Sequence, residues 1–327
     1  MRTATKTILS YFFEHRLCYF FYFIIATLLI KFMRMVLIFI KFYLPLLCLL
    51  MIKNKKKLTK ILKPKVNNSE LTNEIIVTDE NKKKIKLHSV VEKPLTLFLN
   101  DQEIVTMMTI CDYPKYLAIG YLINQNMLKK NDKITRIDYD KEISAVVVRT
   151  KLKTNYEEKL KKKTLTSGCA QGTIFGDIME EFENIKLSKK AKIKTSWMIK
   201  LLKEINTTPS LYLKARAIHG CVLCNKDKAQ VYMEDVGRHN AVDKIAGYMH
   251  KHSITPVDKI FYTTGRLTSE MIIKTVKMKI PILISRNGFT SWGVELAKKS
   301  NLTLIGRTKG KRFIALSGIE RIVYDTK

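Results

Sequence analysis

Residues 234–243 read EDVGRHNAVD and decide the fold, because charged residues and a glycine meet where an apolar strand passes into an amphipathic helix. After this stretch the apolar residues recur at helical spacing: Ala241, Val242, Ile245, Ala246 and Met249. Gly237 and Arg238 therefore fall on a turn at the end of a strand, a frequent position for ligand-binding residues. A simpler interpretation stays open, in which Asp235 caps the helix and Arg238 and His239 belong to a solvated first turn.

The rest of the chain favours an α/β fold. Beyond residue 190, strand-like runs at 259–264, 281–285, 302–306 and 312–316 alternate with helical runs at 267–279 and 290–299. This alternation predicts a layered sheet with helices on its faces. Earlier residues predict a hairpin at 95–108, a short helix capped by Asp112, and strands at 134–139 and 143–150.

These patterns divide the chain into three parts. We predict a hydrophobic N-terminal extension at 1–52, a basic linker at 53–84 and a folded domain at 85–327. The domain itself consists of a smaller β-rich part at 85–165 and an α/β part at 166–327.

Composition indicates a folded protein with an unusual surface charge. The chain has 327 residues, 46% hydrophobic and 27% charged, with a formal net charge of +30. Of its 59 basic residues 47 are lysine, scattered in small runs, and no zinc-finger, RNP-like or basic-zipper pattern accompanies them. We therefore interpret the charge as a lysine-rich surface and expect no nucleic-acid partner, while an anionic ligand stays open.

Residues 17–52 are almost continuously apolar and precede a basic run at 53–65. Taken literally, this segment forms a membrane tether, and the positive-inside rule leaves the remainder in the cytoplasm. An alternative is that Met51 is the true start and the earlier residues are not part of the working protein. The six cysteines show no disulfide framework, which also favours a reducing, cytoplasmic compartment.

Cys169 is the best candidate nucleophile. It lies between Gly168 and Gly172 in a predicted loop that precedes an amphipathic helix. The glycines leave the sulfur accessible, and the helix amides with the basic run at 161–163 favour the thiolate. The alternative is a small buried residue at the start of a helix.

Cys221 and Cys224 form a CxxC pair that suggests zinc or dithiol chemistry. Their predicted strand argues against both, because side chains in a strand alternate and the two thiols would point to opposite faces. A zinc site would also need ligands from among Cys169, His219 and His239, so we expect no structural metal.

Five blocks in order resemble the FdhD family, the formate dehydrogenase accessory sulfurtransferases, over about residues 85–325. They are VVEKPLTLFLND with TMMTICDYPKYLAIGYL, SGCAQG around Cys169, EDVGRHNAVDK, TTGRLTSEM at 263–271 and NLTLIGRTKGKR at 301–312. The resemblance implies a cytidine deaminase-like fold, a homodimer and a cytoplasmic protein. It implies that Cys169 takes sulfur from a cysteine desulfurase as a persulfide. The sulfur would pass to the molybdenum cofactor, bis-molybdopterin guanine dinucleotide, before that cofactor enters formate dehydrogenase.

The resemblance also assigns residues to the cofactor. The family's cofactor-contacting stretch matches Arg307, Thr308, Lys309, Gly310, Lys311 and Arg312. By analogy of position, the supporting residues of the same cleft are Asp235, Gly237, Arg238 and His239. Many relatives have a second cysteine where this chain has Gly172, so a mechanism that needs a dithiol in the loop is doubtful.

Two other functions are compatible with the sequence. One is a non-catalytic chaperone that binds the molybdenum cofactor and hands it on without carrying sulfur. The other is a membrane-anchored basic protein that binds nucleic acid, whose binding would weaken steeply with salt.

Overall fold

The computed structural model describes residues 28–29, 31–41, 43, 62–128, 132–151, 163–166 and 169–326, with only the backbone for those between 163 and 178. The chain divides into two compact units, residues 1–60 and 61–327. In the first unit, residues 31–41 form a helix. Across the described ranges no helix combines the length and the apolar character that crossing a bilayer requires. Most of the segment at 17–52 lies outside the described residues, so the membrane tether stays a prediction.

The second unit contains sixteen strands and seven α-helices among its described residues. The strands are β1 Thr72–Thr78, β2 Lys84–Val90, β3 Lys93–Leu99, β4 Gln102–Thr109, β5 Ile134–Asp140, β6 Ala145–Thr150, β7 Lys163–Thr166, β8 Cys169–Ile174, β9 Ile193–Lys194, β10 His219–Asn225, β11 Lys228–Asp235, β12 Lys259–Thr263, β13 Ile282–Ser285, β14 Thr303–Lys309, β15 Arg312–Ser317 and β16 Ile322–Val323. The helices are α1 Pro114–Asn124, α2 Phe175–Asn184, α3 Thr195–Thr207, α4 Leu211–Ala215, α5 Arg238–Lys251, α6 Ser269–Lys277 and α7 Ser291–Lys299.

The central sheet has six strands in the order β11-β10-β12-β13-β14-β15. Strands β12, β13 and β14 are parallel neighbours and the outer pairs are antiparallel. Helices α6 and α7 connect the parallel strands, which confirms the alternation predicted from the sequence. The carboxyl ends of β12 and β13 therefore meet at one edge of the sheet.

Helices cover both faces of this sheet, because neighbouring strand residues enter different cores. Leu223, Phe261 and Leu283 belong to a core that includes residues of α5, α6 and α7. Val222 and Tyr262 belong to a second core, on the side of α3. The protein is thus a mixed α/β structure with helices on both faces of its main sheet, whereas a cytidine deaminase-like arrangement of the layers stays a prediction.

A four-stranded sheet in the order β4-β3-β6-β5 precedes the central sheet in the chain. Helix α1 covers it and crosses α5, so that the two sheets are joined through a helix pair. The crossing is close because both helices carry glycine there. A Cβ atom on Gly120 would lie 1.7 Å from the backbone oxygen of Asp243, and one on Gly247 would lie 1.9 Å from that of Tyr116.

The start of α1 corrects one expectation. Asp112 is not the helix cap, because Tyr113 occupies the N-cap position with φ 49° and Pro114 follows as the first helical residue. Asp112 is instead buried and hydrogen-bonded to Lys244 of α5. A buried ammonium group needs an anionic partner, and this need outweighs the propensity of aspartate for a cap.

Candidate functional site

Cys169 begins β8 and pairs with Thr166 of β7 across a hairpin. The connecting residues 167 and 168 lie outside the described part of the chain. The sequence predicts an irregular loop here, but the structure extends the strand from Cys169 to Ile174, directly before α2. The threonines in both strands favour extended backbone, which accounts for the difference. Cys169 is therefore the first residue of the second strand in this antiparallel pair.

The segment from Arg307 to Arg312 forms the tip of the β14–β15 hairpin. Gly310 adopts a φ of +61°, which suits glycine at the turn. Around the tip is an open depression of about 520 Å³, and its walls are formed by Arg307, Lys309, Lys311, Arg312, Phe313 and Ile314. Thr308 is buried beneath it and donates a hydrogen bond to the carbonyl oxygen of Ser285, 3.1 Å away. Four of the six predicted cofactor residues thus place positive charge on one surface.

Asp235 ends β11 and is completely buried. It accepts a hydrogen bond from the Thr109 hydroxyl and lies 2.7 Å from the Lys244 ammonium. Its Oδ1 also accepts from the backbone N–H of Gly237, at 3.3 Å. Gly237, not Asp235, is the N-cap residue of α5. Asp235 therefore belongs to an ion network beneath the turn.

Lys244 is the centre of that network, and sequence reasoning missed it. Its ammonium donates to Asp112 and to the backbone oxygen of Glu234, the latter 2.8 Å away. Burial alone would lower the pKa of Lys244, but the carboxylates of Asp112 and Asp235 outweigh burial and raise it. The signal in the sequence is a lysine inside the apolar stripe of a helix, where only a paired lysine is stable.

A second buried lysine lies on α6. Lys274 donates to both carboxylate oxygens of Asp243, at 2.8 and 3.0 Å, and Asn124 of α1 donates to the same carboxylate at 2.6 Å. His239 lies beside this pair, with Nδ1 3.3 Å from Oε1 of Glu270. Burial and the charge of Lys274 lower the pKa of His239 to about 2. This imidazole is therefore neutral at physiological pH.

Arg238 is the first residue of α5, and its side chain packs against Gly265 just after β12. A Cβ atom on Gly265 would lie 2.9 Å from the Cδ atom of Arg238. The structure thus brings the EDVGRHN and TTGR segments together. Arg238 is half-buried at this junction, while Asp235 and His239 are buried beneath it.

The CxxC thiols point to opposite faces of the sheet, as the two-residue period of a strand predicts. Cys221 lies in the core on the α5 side and Cys224 in the core on the α3 side. Burial raises the pKa of Cys221 to about 12 and also raises that of Cys224. Both are protonated, inert thiols, and neither zinc nor a disulfide can be shared between them. Among the described residues no cluster of three or more histidine, cysteine or acidic side chains could hold a metal ion.

Fold and site define a mixed α/β protein with a basic hairpin at one end of its sheet and a buried ion network under a strand-to-helix turn. A model of the FdhD/NarQ family matches residues 90–323, and the chain belongs to that family.

The chain is also similar to named proteins. It is 29% identical to the sulfur carrier protein FdhD of Bacillus pumilus, over 72% of this chain and 91% of that protein. It is 28% identical to that of Bacillus subtilis, over 73% and 92%. A crystal structure of a candidate formate dehydrogenase accessory protein from Desulfotalea psychrophila matches with a TM-score of 0.62 and 26% identity, over 77% of this chain and 98% of that one.

Proposed function

We propose that the chain is a sulfur carrier for the maturation of a formate dehydrogenase. The observation that carries the proposal is its membership of the FdhD/NarQ family, whose relatives named sulfur carrier protein FdhD match it over about nine-tenths of their length. Cys169 would be the sulfur-bearing residue, because it is the cysteine of the SGCAQG block and begins strand β8.

The proposed chemistry is a persulfide relay. The Cys169 thiolate attacks the outer sulfur of a persulfide on a cysteine desulfurase, a new S–S bond forms, and the desulfurase thiolate leaves. The exchange consumes no oxidant and needs one thiol only, so the absence of a second cysteine at Gly172 does not prevent it. The outer sulfur then passes to the molybdenum cofactor, which is the substrate of the transfer.

The basic hairpin supports the choice of that substrate. Bis-molybdopterin guanine dinucleotide carries several phosphates, and Arg307, Lys309, Lys311 and Arg312 line one depression. Arginine and lysine bind phosphate oxygens through charge-assisted hydrogen bonds. The proposal includes a cytoplasmic location and a homodimer. Sedimentation of the purified protein would test the homodimer.

An assay of formate dehydrogenase activity distinguishes a sulfur carrier from a chaperone that only binds the cofactor. Cells that depend on this protein should lose formate dehydrogenase activity with the Cys169→Ala variant and keep it with Cys111→Ser, which removes the half-buried thiol before α1. A chaperone that binds the cofactor without carrying sulfur would still support activity with Cys169→Ala. That result would contradict the proposal.

A further inference from the structure

Glu234 is a completely buried carboxylate that holds the start of helix α4. Its Oε2 accepts a hydrogen bond from the backbone N–H of Leu211 at 2.7 Å, and its Oε1 accepts one from that of Tyr212 at 2.9 Å. These are the first two residues of α4, so their N–H groups have no partner within the helix. The carboxylate of Glu234 therefore takes the place of water at this end of α4.

The carboxylate of Glu234 makes no ion pair in the part of the chain that the structure describes. The ammonium of Lys244 donates to the backbone oxygen of Glu234, and its carboxylate partners are Asp112 and Asp235. One buried positive charge thus serves a cluster of three buried carboxylates. Such an excess of buried negative charge is relieved when a carboxylate takes up a proton, and Glu234 is the one that lacks a cation.

The protonation of Glu234 is coupled to the position of α4. Burial raises the pKa of Glu234 from its ordinary 4.5 to about 7, although the N–H groups of Tyr212 and Leu211 oppose this effect. When α4 moves away, water reaches the carboxylate and the pKa returns towards its ordinary value. Because the pKa is higher with α4 in place, protonation favours the docked helix and ionisation favours its release.

Other groups around Glu234 do not produce this dependence on pH. Gly220 lies opposite Glu234 on β10 and brings no charge. Burial raises the pKa of Tyr232 on β11, which stays neutral, and lowers that of His219 on β10, a shift whose effect has the opposite sign. The remaining charged or titratable side chains on α4, at its end and on β2, which packs against it, are Lys214, Arg216, Lys84, Lys86 and His88.

Helix α4 has little stability of its own. It contains five residues, fewer than an isolated helix needs. It ends at Arg216 with a φ of +66°, a conformation that is costly for a residue other than glycine. Besides Glu234, its anchors are the buried side chain of Leu211 and the N-cap Ser210, whose hydroxyl accepts from the N–H of Leu213 at 3.2 Å. A change in the charge of Glu234 therefore acts on a weakly held element.

We propose that Glu234 and α4 form a pH-sensitive switch, in which the protonated carboxyl group keeps α4 docked and the ionised carboxylate releases it. The step moves one proton between Glu234 and solvent. Residues of α4 and its caps form one wall of a cavity of about 180 Å³, opposite Tyr262 and Arg286. Release of α4 therefore opens this cavity. The switch does not depend on the proposed sulfur transfer.

Hydrogen–deuterium exchange of the full chain tests the switch. Mass spectrometry of the peptide that contains α4 gives its protection factor, the ratio of the intrinsic to the observed exchange rate. In the wild type this factor should fall about tenfold per pH unit between about pH 5 and pH 7, because release is accompanied by the loss of one proton. Peptides from α5 should show no such fall, which distinguishes local release from unfolding.

Three variants assign the effect to Glu234. Glu234→Gln removes the ionisable group and keeps an oxygen acceptor, so the protection factor of α4 should not change with pH. Glu204→Gln is the matched control, because Glu204 also accepts from a backbone N–H, that of Ala229 at 3.3 Å, and this variant should keep the wild-type fall. Arg216→Gly relieves the backbone at the end of α4, so it should raise protection and keep the dependence on pH.

A wild-type protection factor of α4 that stays constant or rises between about pH 5 and pH 7 overturns the switch. A Glu234→Gln variant that keeps the wild-type fall also overturns it, because another group would then be responsible. If Glu234→Gln does not fold, Arg216→Gly decides: a fall of about tenfold per pH unit supports the switch, and a flat profile overturns it. None of these measurements involves Cys169, so they leave the sulfur-carrier proposal unaffected.

Discussion

The ammonium of Lys244 lies 2.7 Å from the carboxylate of Asp235, and both side chains are completely buried. Asp112 is a second carboxylate partner of the same ammonium. The three residues come from α5, from the end of β11 and from the segment before α1. This ion network therefore holds the EDVGRHNAVD turn against the preceding sheet.

Removing the cation should destabilise the protein strongly. Lys244→Met leaves two buried carboxylates without their partner, and breaking a buried pair in this way costs about 3–5 kcal/mol. Urea unfolding of the wild type and the variant measures the change in the free energy of unfolding. Lys200→Met is the matched control. Lys200 pairs with Asp227 at 2.6 Å on the surface, so its replacement should lower the free energy of unfolding by less than about 1 kcal/mol. Equal losses for the two variants would show that the network does not stabilise the fold.

The close crossing of α1 and α5 predicts a second large loss of stability. Gly120→Ala places a methyl group 1.7 Å from the backbone oxygen of Asp243, so α1 and α5 must move apart. Because the obstacle is backbone, we expect a loss of about 3 kcal/mol in the free energy of unfolding. Gly288→Ala is the control, since a Cβ atom there meets nothing within 4 Å. Thermal unfolding that is unchanged by Gly120→Ala would refute the close crossing.

Burial of neutral His239 predicts a dependence of stability on pH. Its pKa is about 2 in the folded protein, well below the ordinary histidine value of about 6.5 in the unfolded chain. As the pH falls below about 6.5, this histidine therefore becomes protonated in the unfolded chain but stays neutral in the folded protein. Proton binding then stabilises the unfolded chain, so the free energy of unfolding decreases.

His239→Gln should remove that contribution. Between about pH 7 and pH 5 the variant should lose less stability than the wild type does. His88→Gln, on an exposed position of β2, should retain the wild-type slope. Urea unfolding at several pH values makes the comparison, and parallel slopes for wild type and His239→Gln would contradict the neutral histidine.

Local periodicity predicted much of the fold. The alternation of β12, α6, β13, α7 and β14 follows from the apolar pattern, because each element is longer than the period that defines it. The opposite orientation of Cys221 and Cys224 followed in the same way from the alternation within a strand.

Long-range pairing was not predictable from these patterns. Asp112 and Lys244 are 132 positions apart, and their contact depends on how α1 crosses α5. The aspartate alone predicted a helix cap. Arg216 and Arg286 are also far apart in the chain, yet both lie over the ring of Tyr212, a contact that left no local signal. At Cys169 the glycines indicated a loop, whereas the neighbouring threonines favour the strand that the structure contains.

Sulfur loading of Cys169 is the most direct test of the account. The full chain is incubated with a cysteine desulfurase and cysteine, its persulfides are trapped by alkylation, and the labelled cysteine is located by mass spectrometry. We predict one added sulfur on Cys169 and no label on Cys221 or Cys224, whose buried thiols are protonated. Sulfur on either of those residues, with none on Cys169, would contradict the account.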